Sequence, residues 1–247
     1  MSFDTVLNDL PKGFWEILRW KPSNEQFLQL ISLQSLLKEW NKKVNLTRLI
    51  DGNDYWISQI FDSLWPIKSE LQNPSQRLNI IDVGTGCGFP GLAIAIALPN
   101  ASLTLVDSIY KKTYAVREIT SNLGLLNRVN IRTERIELTG QNLKFRNQFD
   151  LAIARAVAKG PTLAEYLIPL LKRTGKAILY KGKWSENDQK ELINALYILQ
   201  AKIANKQTIQ LPEARGMRNS ITLVTTGKCP IKYPRGVGVP IKSPLSI

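Results

Sequence analysis

The 247-residue chain has no histidine, only two cysteines and two methionines, and no acidic residue after Glu213. Without an imidazole there is no Ser-His-Asp triad, no Cys-His dyad, no His-ligated zinc and no imidazole acid or base. Cys87 and Cys229 lie too far apart in sequence for a Cys-x-x-Cys metal or redox site. The longest uncharged stretch, Val83 to Val106, is broken by four glycines, two prolines and Asn100, which suits a buried strand-loop-helix better than a membrane span. The opening Met1-Ser2-Phe3-Asp4 lacks the basic region of a secretory signal. A cytoplasmic protein with reduced cysteines, no resident metal and no membrane partner is therefore expected. Its chemistry must run on carboxylates, amides, Lys, Arg, Tyr or a borrowed cofactor.

Positive charge is what the chain has in excess: 33 Lys+Arg against 20 Asp+Glu, a net +13. The excess is uneven. Residues 1–70 carry 8 basic and 9 acidic side chains, residues 71–213 carry 19 and 11, and residues 214–247 carry 6 and none. Charge on the middle and C-terminal end suits a surface that meets phosphates, although a generic solubility charge fits the composition equally well.

The patterning changes along the chain. Ser23 is an N-cap candidate, and Phe27, Leu30, Leu33, Leu37, Trp40 and Val44 then recur at helical spacing. A second helix is expected over about 55–67, so residues 1–70 read as a helical extension ending at the turn-forming Leu71-Gln72-Asn73-Pro74-Ser75. Short apolar strands are then expected at 78–83, 102–106, 129–133, 149–154 and 176–180. Helices alternate with them at 90–98, 111–123, from about Pro161 to before Gly175, and at 185–199, and two late strands follow near 201–210 and 220–226. Alternation of this kind predicts an α/β fold, a mostly parallel seven-stranded sheet with helices on both faces, over residues 71–227. Residues 228–247 hold four of the 13 prolines and no acid, and read as an extended basic arm.

The most informative segment is Asp82-Val83-Gly84-Thr85-Gly86-Cys87-Gly88-Phe89-Pro90-Gly91, where the first strand turns into the first helix. Gly86-x-Gly88-x-x-Gly91 matches the letters of the dinucleotide fingerprint, so a nicotinamide enzyme is one reading. The register opposes it. The strand closes at Gly84, the third glycine counted from there falls on Phe89, and Pro90 removes an N–H that a pyrophosphate needs. An acid, Asp82, followed by Gly-x-Gly-x-Gly resembles motif I of class I methyltransferases, whose cofactor S-adenosylmethionine carries no phosphate. Asp107 closes the second strand 23 positions after Gly84, close to the spacing of about 20 at which an acid meets ribose hydroxyls. A helix N-cap is the other reading of Asp107.

The ordered set of motifs resembles one family: the bacterial ribosomal RNA small subunit methyltransferase G, or glucose-inhibited division protein B, family. The matching stretches are Trp40 to Thr47, Asp62-Ser63-Leu64, Asp82 to Gly91, Leu105 to Ser108 with Lys111-Lys112, Arg135-Ile136-Glu137, Ala154-Arg155-Ala156 and Lys181-Gly182. Lys232-Tyr233-Pro234-Arg235 and Gly238-Val239-Pro240 resemble its cyanobacterial branch. The resemblance implies a Rossmann-like class I fold, S-adenosylmethionine as cofactor and 16S rRNA or the 30S subunit as partner. The implied reaction is methyl transfer to N7 of guanine-527 in the 530 loop; a monomer is expected, although neither motif nor composition speaks to oligomeric state. A methyltransferase for another RNA or a small molecule, and a non-catalytic RNA-binding module, are the alternatives.

By the same resemblance Gly84, Gly86 and Phe89 contact the cofactor together with Asp82, Asp107 and Ser108 meet its ribose or adenine side, and Ile136 and Glu137 flank the adenine. Arg155 lies between cofactor and substrate, and Asn45 is a candidate for the guanine edge. The family usually has Arg-His where this chain has Ser58-Gln59, a departure that argues against an essential role for that histidine and leaves the cofactor motifs intact.

Arg155 ends an apolar strand and so projects from the carboxyl edge of the sheet, where ligands bind in open α/β folds. A structural ion pair with Asp82 or Glu137 is its other reading. Lys111 and Lys112 at a helix start oppose the helix dipole, which points to an external phosphate or to a solvated face. Lys181 and Lys183 follow the fifth strand, and Lys232, Tyr233 and Arg235 give the arm cations and a ring suited to RNA.

Overall fold

The computed structural model describes residues 10, 11 and 13–246. Helix α1 (Phe14–Leu18) leads into α2 (Asn24–Asn41). Ser23 starts α2 as expected: its hydroxyl accepts from the Gln26 N–H at 3.2 Å and the Gln26 side chain accepts from the Ser23 N–H at 2.9 Å. Such a cap contributes about 1 kcal/mol. The Gln26 amide also donates to the Ile96 carbonyl at 2.9 Å, so the cap doubles as a tie to the central domain. Phe27, Leu30, Leu33 and Leu37 are fully buried along one face.

The expected second helix is a broken run: α3 (Gly52–Tyr55), a π-helical turn (Trp56–Phe61), α4 (Asp62–Leu64), a 3-10 turn at Trp65–Ile67 and α5 (Lys68–Leu71). The wide turn is buried throughout, and Trp56 within it stacks on Phe27 of α2 with ring centroids 5.5 Å apart. Turns of this kind are rare and concentrate at functional sites.

The sheet comprises β1 (Asn79–Val83), β2 (Ser102–Asp107), β3 (Val129–Thr133), β4 (Phe149–Arg155), β5 (Leu171–Lys181), β6 (Ala201–Gln210) and β7 (Met217–Thr225). Its order is β3-β2-β1-β4-β5-β7-β6, parallel except for β7 against β5 and β6. The connecting helices are α6 (Gly91–Ala97), α7 (Tyr110–Asn122), α8 (Ile136–Gln141), α9 (Gly160–Leu167) and α10 (Glu186–Ile198). The sequence pattern did not announce α8, which is only six residues long. Strand β5 begins five residues before the expected Lys176, because the helix ends in a 3-10 turn at Pro169 and the chain then runs extended beside Phe149.

Burial follows the two-residue period of the strands. Ile80 faces a core shared with α2, the π turn, α6 and α7. Ile81 and Val83 face a second core shared with α9 and α10. The helical extension therefore completes one face of the sheet. Among the described residues no helix is long and apolar enough to cross a membrane.

Residues 228–246 are folded down rather than extended, and they include a short helix, α11 (Val239–Lys242). Buried Arg146 donates to the carbonyls of Cys229 at 2.9 Å, Pro230 at 3.1 Å and Tyr233. Fully buried Glu165 accepts from the Arg235 backbone N–H at 2.8 Å and from its guanidinium at 2.7 and 2.9 Å. The expectation that Tyr233 and Arg235 face RNA is thereby corrected: the Tyr233 ring is 6% exposed, and Arg235 is committed to Glu165.

The loop after β1 hangs on one carboxylate. Asp82 Oδ2 accepts from the Thr85 hydroxyl at 2.7 Å and from the Gly91 N–H at 2.9 Å, joining strand, loop and α6. A Cβ on Gly91 would lie 2.8 Å from that oxygen and 2.3 Å from Leu105, so only glycine fits. Asp82 is fully buried and its Oδ1 has no partner among the described residues. Burial raises its carboxyl from 3.8 to about 6, against the Thr85 and Gly91 hydrogen bonds that favour the charged form.

Two measurements check these ties. Because the folded Asp82 has the raised value, the native state binds the extra proton between about pH 4 and 6, so this group's contribution to stability falls as pH rises through that window and stays low above it. The stability of the wild type relative to Asp82→Asn is expected to improve by about 2 kcal/mol as pH drops from 7 to 4, read from urea unfolding. Separately, Glu165→Ala strands the partly exposed Arg235. It is expected to cost about 2–3 kcal/mol in the same assay and to make the chain beyond residue 227 protease-sensitive.

Candidate active site

A cavity of about 660 Å³ opens over the carboxyl ends of β1, β2 and β4. This is where the strand order reverses around β1, the expected ligand crevice of an open α/β sheet. Its floor is the glycine loop, Gly84 to Cys87 with Phe89. Gly84 and Gly86 have φ of +71° and +58°, and a Cβ on Gly84 would come within 2.4 Å of Val157. The N–H groups of Gly84 and Thr85 both donate to the Val106 carbonyl, at 2.8 and 3.0 Å, which pulls the loop against β2.

The start of α6 has no anion hole to offer. Pro90 lacks an N–H, the Gly91 N–H is taken by Asp82, and the Leu92 N–H by the Gly88 carbonyl at 2.7 Å. A pyrophosphate finds no donors there, whereas a nucleoside cofactor without phosphate requires none.

Asp107 and Ser108 form one side of the cavity. Asp107 braces the backbone on both sides of itself: Oδ2 accepts from the Gly86 N–H at 2.9 Å, holding the loop, and Oδ1 accepts from the Ile109 N–H at 2.9 Å, turning the chain toward α7, whose N-cap is Ile109 rather than Asp107. Ile136 lines the same side with Arg135 and Tyr166. Glu137 does not line it. Its carboxylate is fully buried behind Ile136, where Oε1 accepts from the Gly238 N–H at 2.9 Å, the Tyr166 hydroxyl at 3.1 Å and Arg135 at 3.3 Å. Burial alone would raise Glu137; the Gly238 N–H and Arg135 outweigh it and hold the carboxyl low. Asp82 likewise acts from beneath the loop and is absent from the lining.

Arg155, the last residue of β4, reaches into the opposite wall. Its partners are neither Asp82 nor Glu137. The guanidinium donates to the Ser58 carbonyl at 3.1 Å, to Asp62 Oδ2 at 3.2 Å and to Gln59 Oε1, and it lies 6.0 Å from the centre of the Phe89 ring. Asp62 also faces Arg218 of β7 at 3.4 Å, so one buried carboxylate spans two cavity-lining arginines. Gln59 is 1% exposed and passes the contact on, donating to the Thr47 hydroxyl at 3.2 Å. Sequence reasoning gave Gln59 no positive role and Asp62 none at all. The π turn, which presents Ser58 and Gln59 on one side of the chain, left no readable period.

The other expected site residues divide. Lys112 and Lys181 line the cavity, and Lys181 donates to the Ala158 carbonyl at 2.6 Å, with burial lowering its ammonium from the ordinary value. Lys111, Lys183 and Lys232 are exposed outside the lining. Asn45 is also exposed and outside it, while its neighbours Leu46 and Thr47 line it. Burial pushes the Cys87 thiol up, which leaves it a small neutral side chain rather than a nucleophile. Ile241 of α11 also reaches the cavity, so the C-terminal segment supplies part of its wall.

Comparisons with known proteins match the chain to a family. A family model described as rRNA small subunit methyltransferase G (GidB) matches residues 26–216. A protein named ribosomal RNA small subunit methyltransferase G from Prochlorococcus marinus is 62% identical over 232 residues, 94% of this chain and 92% of that one. One of the same name from a Synechococcus strain is 56% identical, covering 94% of this chain and 96% of that one. Among solved structures, a fibrillarin pre-rRNA processing protein from Methanococcus jannaschii aligns with a TM-score of 0.50 at 13% identity, over 62% of this chain and 68% of that one, which is a likeness of fold. On the span of the family match and the identity to these relatives, the chain belongs to the rRNA small subunit methyltransferase G family.

Proposed function

We propose that the protein transfers a methyl group from S-adenosylmethionine to N7 of guanine-527 in the 530 loop of 16S rRNA. The observation that supports this reading best is the pairing of two walls. A phosphate-free nucleoside cradle, Gly84 to Phe89 with Asp107, faces an arginine held by an amide and a carboxylate, with no imidazole between them. When bound, S-adenosylmethionine supplies an activated methyl group on a sulfonium centre.

Guanine N7 is a lone pair with no proton to remove, so the acceptor needs alignment rather than a general base. Arg155 supplies alignment. It is anchored at three points by Ser58, Gln59 and Asp62, and its guanidinium fork is suited to a carboxylate or to the guanine O6 beside N7. Asp62 offsets the positive charge that Arg155 and Arg218 bring to the cavity, and so favours a base that becomes cationic on methylation. Gln59 accepts from Arg155 and donates to Thr47. That is the donor-plus-acceptor pattern of a neutral imidazole without its titration, which accounts for an amide where the family usually has histidine. Phe89 and Val157 supply apolar lining to the cradle.

The direct test is to incubate the protein with methyl-labelled S-adenosylmethionine and 30S subunits lacking the modification, then map the labelled nucleotide. Label at N7 of guanine-527 is expected; no label in 16S rRNA would reject the reading. In the same assay Arg155→Ala is expected to lower kcat/KM by about 10²–10³, the loss typical of a removed transition-state donor. Its unfolding free energy is expected to fall by only about 1–2 kcal/mol, because Asp62 keeps Arg218.

A further inference from the structure

Outside the cavity, one exposed cluster has no structural explanation. Tyr110 and Tyr114 stand one turn apart on α7, 68% and 45% exposed, with ring centroids 6.1 Å apart and planes 26° from parallel. Trp40, at the end of α2, meets Tyr114 edge-on at 5.8 Å, and the Lys43 ammonium sits 4.9 Å from the Trp40 ring centre. Two tyrosine faces left in solvent bury little area. The first turn of α7 holds Lys111 and Lys112 and no acid, so the electrostatics favour an anionic partner over an acid-seeking or neutral one.

The cluster is continuous with the cavity by two routes. Along α7 it runs from Tyr114 back through Lys112, which lines the cavity, to Asp107 and Ser108. From Trp40 the chain reaches Leu46 and Thr47 in the cavity wall, and the intervening loop is fixed by Asn41, whose side-chain oxygen accepts from both of their N–H groups at 2.9 and 3.0 Å. Stacked rings beside cations at the mouth of a base-sized cavity are the elements by which proteins hold unpaired nucleic acid.

We propose that Tyr110, Tyr114 and Trp40, with Lys43 and Lys111, form a stacking platform for unpaired bases of the RNA next to the nucleotide that enters the cavity. This rests on the rRNA reading above and names a surface which that reading does not require. The rings supply sequence-tolerant stacking and the lysines meet the backbone phosphates.

The test compares Tyr110→Ala, Tyr114→Ala and Tyr110→Phe in two assays: methylation of unmodified 30S subunits, and binding of a fluorescent single-stranded 530-loop oligoribonucleotide at several salt concentrations. Each alanine variant is expected to raise the KM for 30S and the oligoribonucleotide Kd about tenfold. Tyr110→Phe keeps wild-type values, and kcat and S-adenosylmethionine affinity do not change. The salt slope stays unchanged for the tyrosine variants and drops by about 0.7 for Lys111→Ala. Wild-type KM and Kd in both alanine variants would overturn the platform even where the wild type methylates 30S. A KM effect with no effect on oligoribonucleotide binding would assign the surface to a ribosomal protein and also overturn it. Failure of the wild type to methylate 30S counts against the parent reading alone, since the oligoribonucleotide assay still decides the platform.

Discussion

One oxygen atom, Oδ2 of Asp82, holds the arrangement on which the cavity depends. It takes a hydroxyl from the loop and a backbone N–H from the first residue of α6, so the strand, the glycine turn and the helix cannot shift independently. The cost is a carboxylate buried with its second oxygen unpartnered among the described residues. A protein carries such a cost where geometry has to be exact to a fraction of an ångström, and here the geometry is that of a cradle formed by glycine backbone.

The opposing wall is built by different means. The helical extension does not fold beside the sheet as a separate unit; its apolar residues and those of α6 and α7 make one core. Packing that core delivers the π turn to the carboxyl edge of the sheet, and the turn delivers the Ser58 carbonyl and Gln59 to Arg155. Asp62 follows one helical turn later. An arginine anchored this way loses little further freedom when it meets a ligand, which is how preorganisation improves both binding and alignment.

The sheet and the helices around it were legible because their causes are local: apolar runs, an acid and glycines at a strand end, and a cap at Ser23. Gly84, Phe89, Asp107, Ser108, Ile136 and Arg155 follow from those causes and from the resemblance, and all six line the cavity. What stayed illegible depends on packing across long sequence separations. Arg155 and Asp62 are 93 residues apart, and no period or spacing couples them. The arm misled for the same reason. Its composition is that of an exposed basic tail, but Arg146, Glu165 and Glu137 wait for it in the domain interior, and their burial only makes sense once the arm is in place. The π turn is a third case, since a six-residue widening inside a helical pattern has no signature in the sequence.

The folded-down arm has a consequence for the order of events in synthesis. Ile241 forms part of the cavity wall, and Gly238 supplies a hydrogen bond to Glu137 beneath the adjoining Ile136. These residues follow all seven strands in chain order. Domains acquire structure from the N-terminus as the chain emerges, so the sheet and its glycine loop assemble while this wall is still missing. The cavity is therefore finished only after residues 238–241 have emerged, later than every strand of the sheet that carries it.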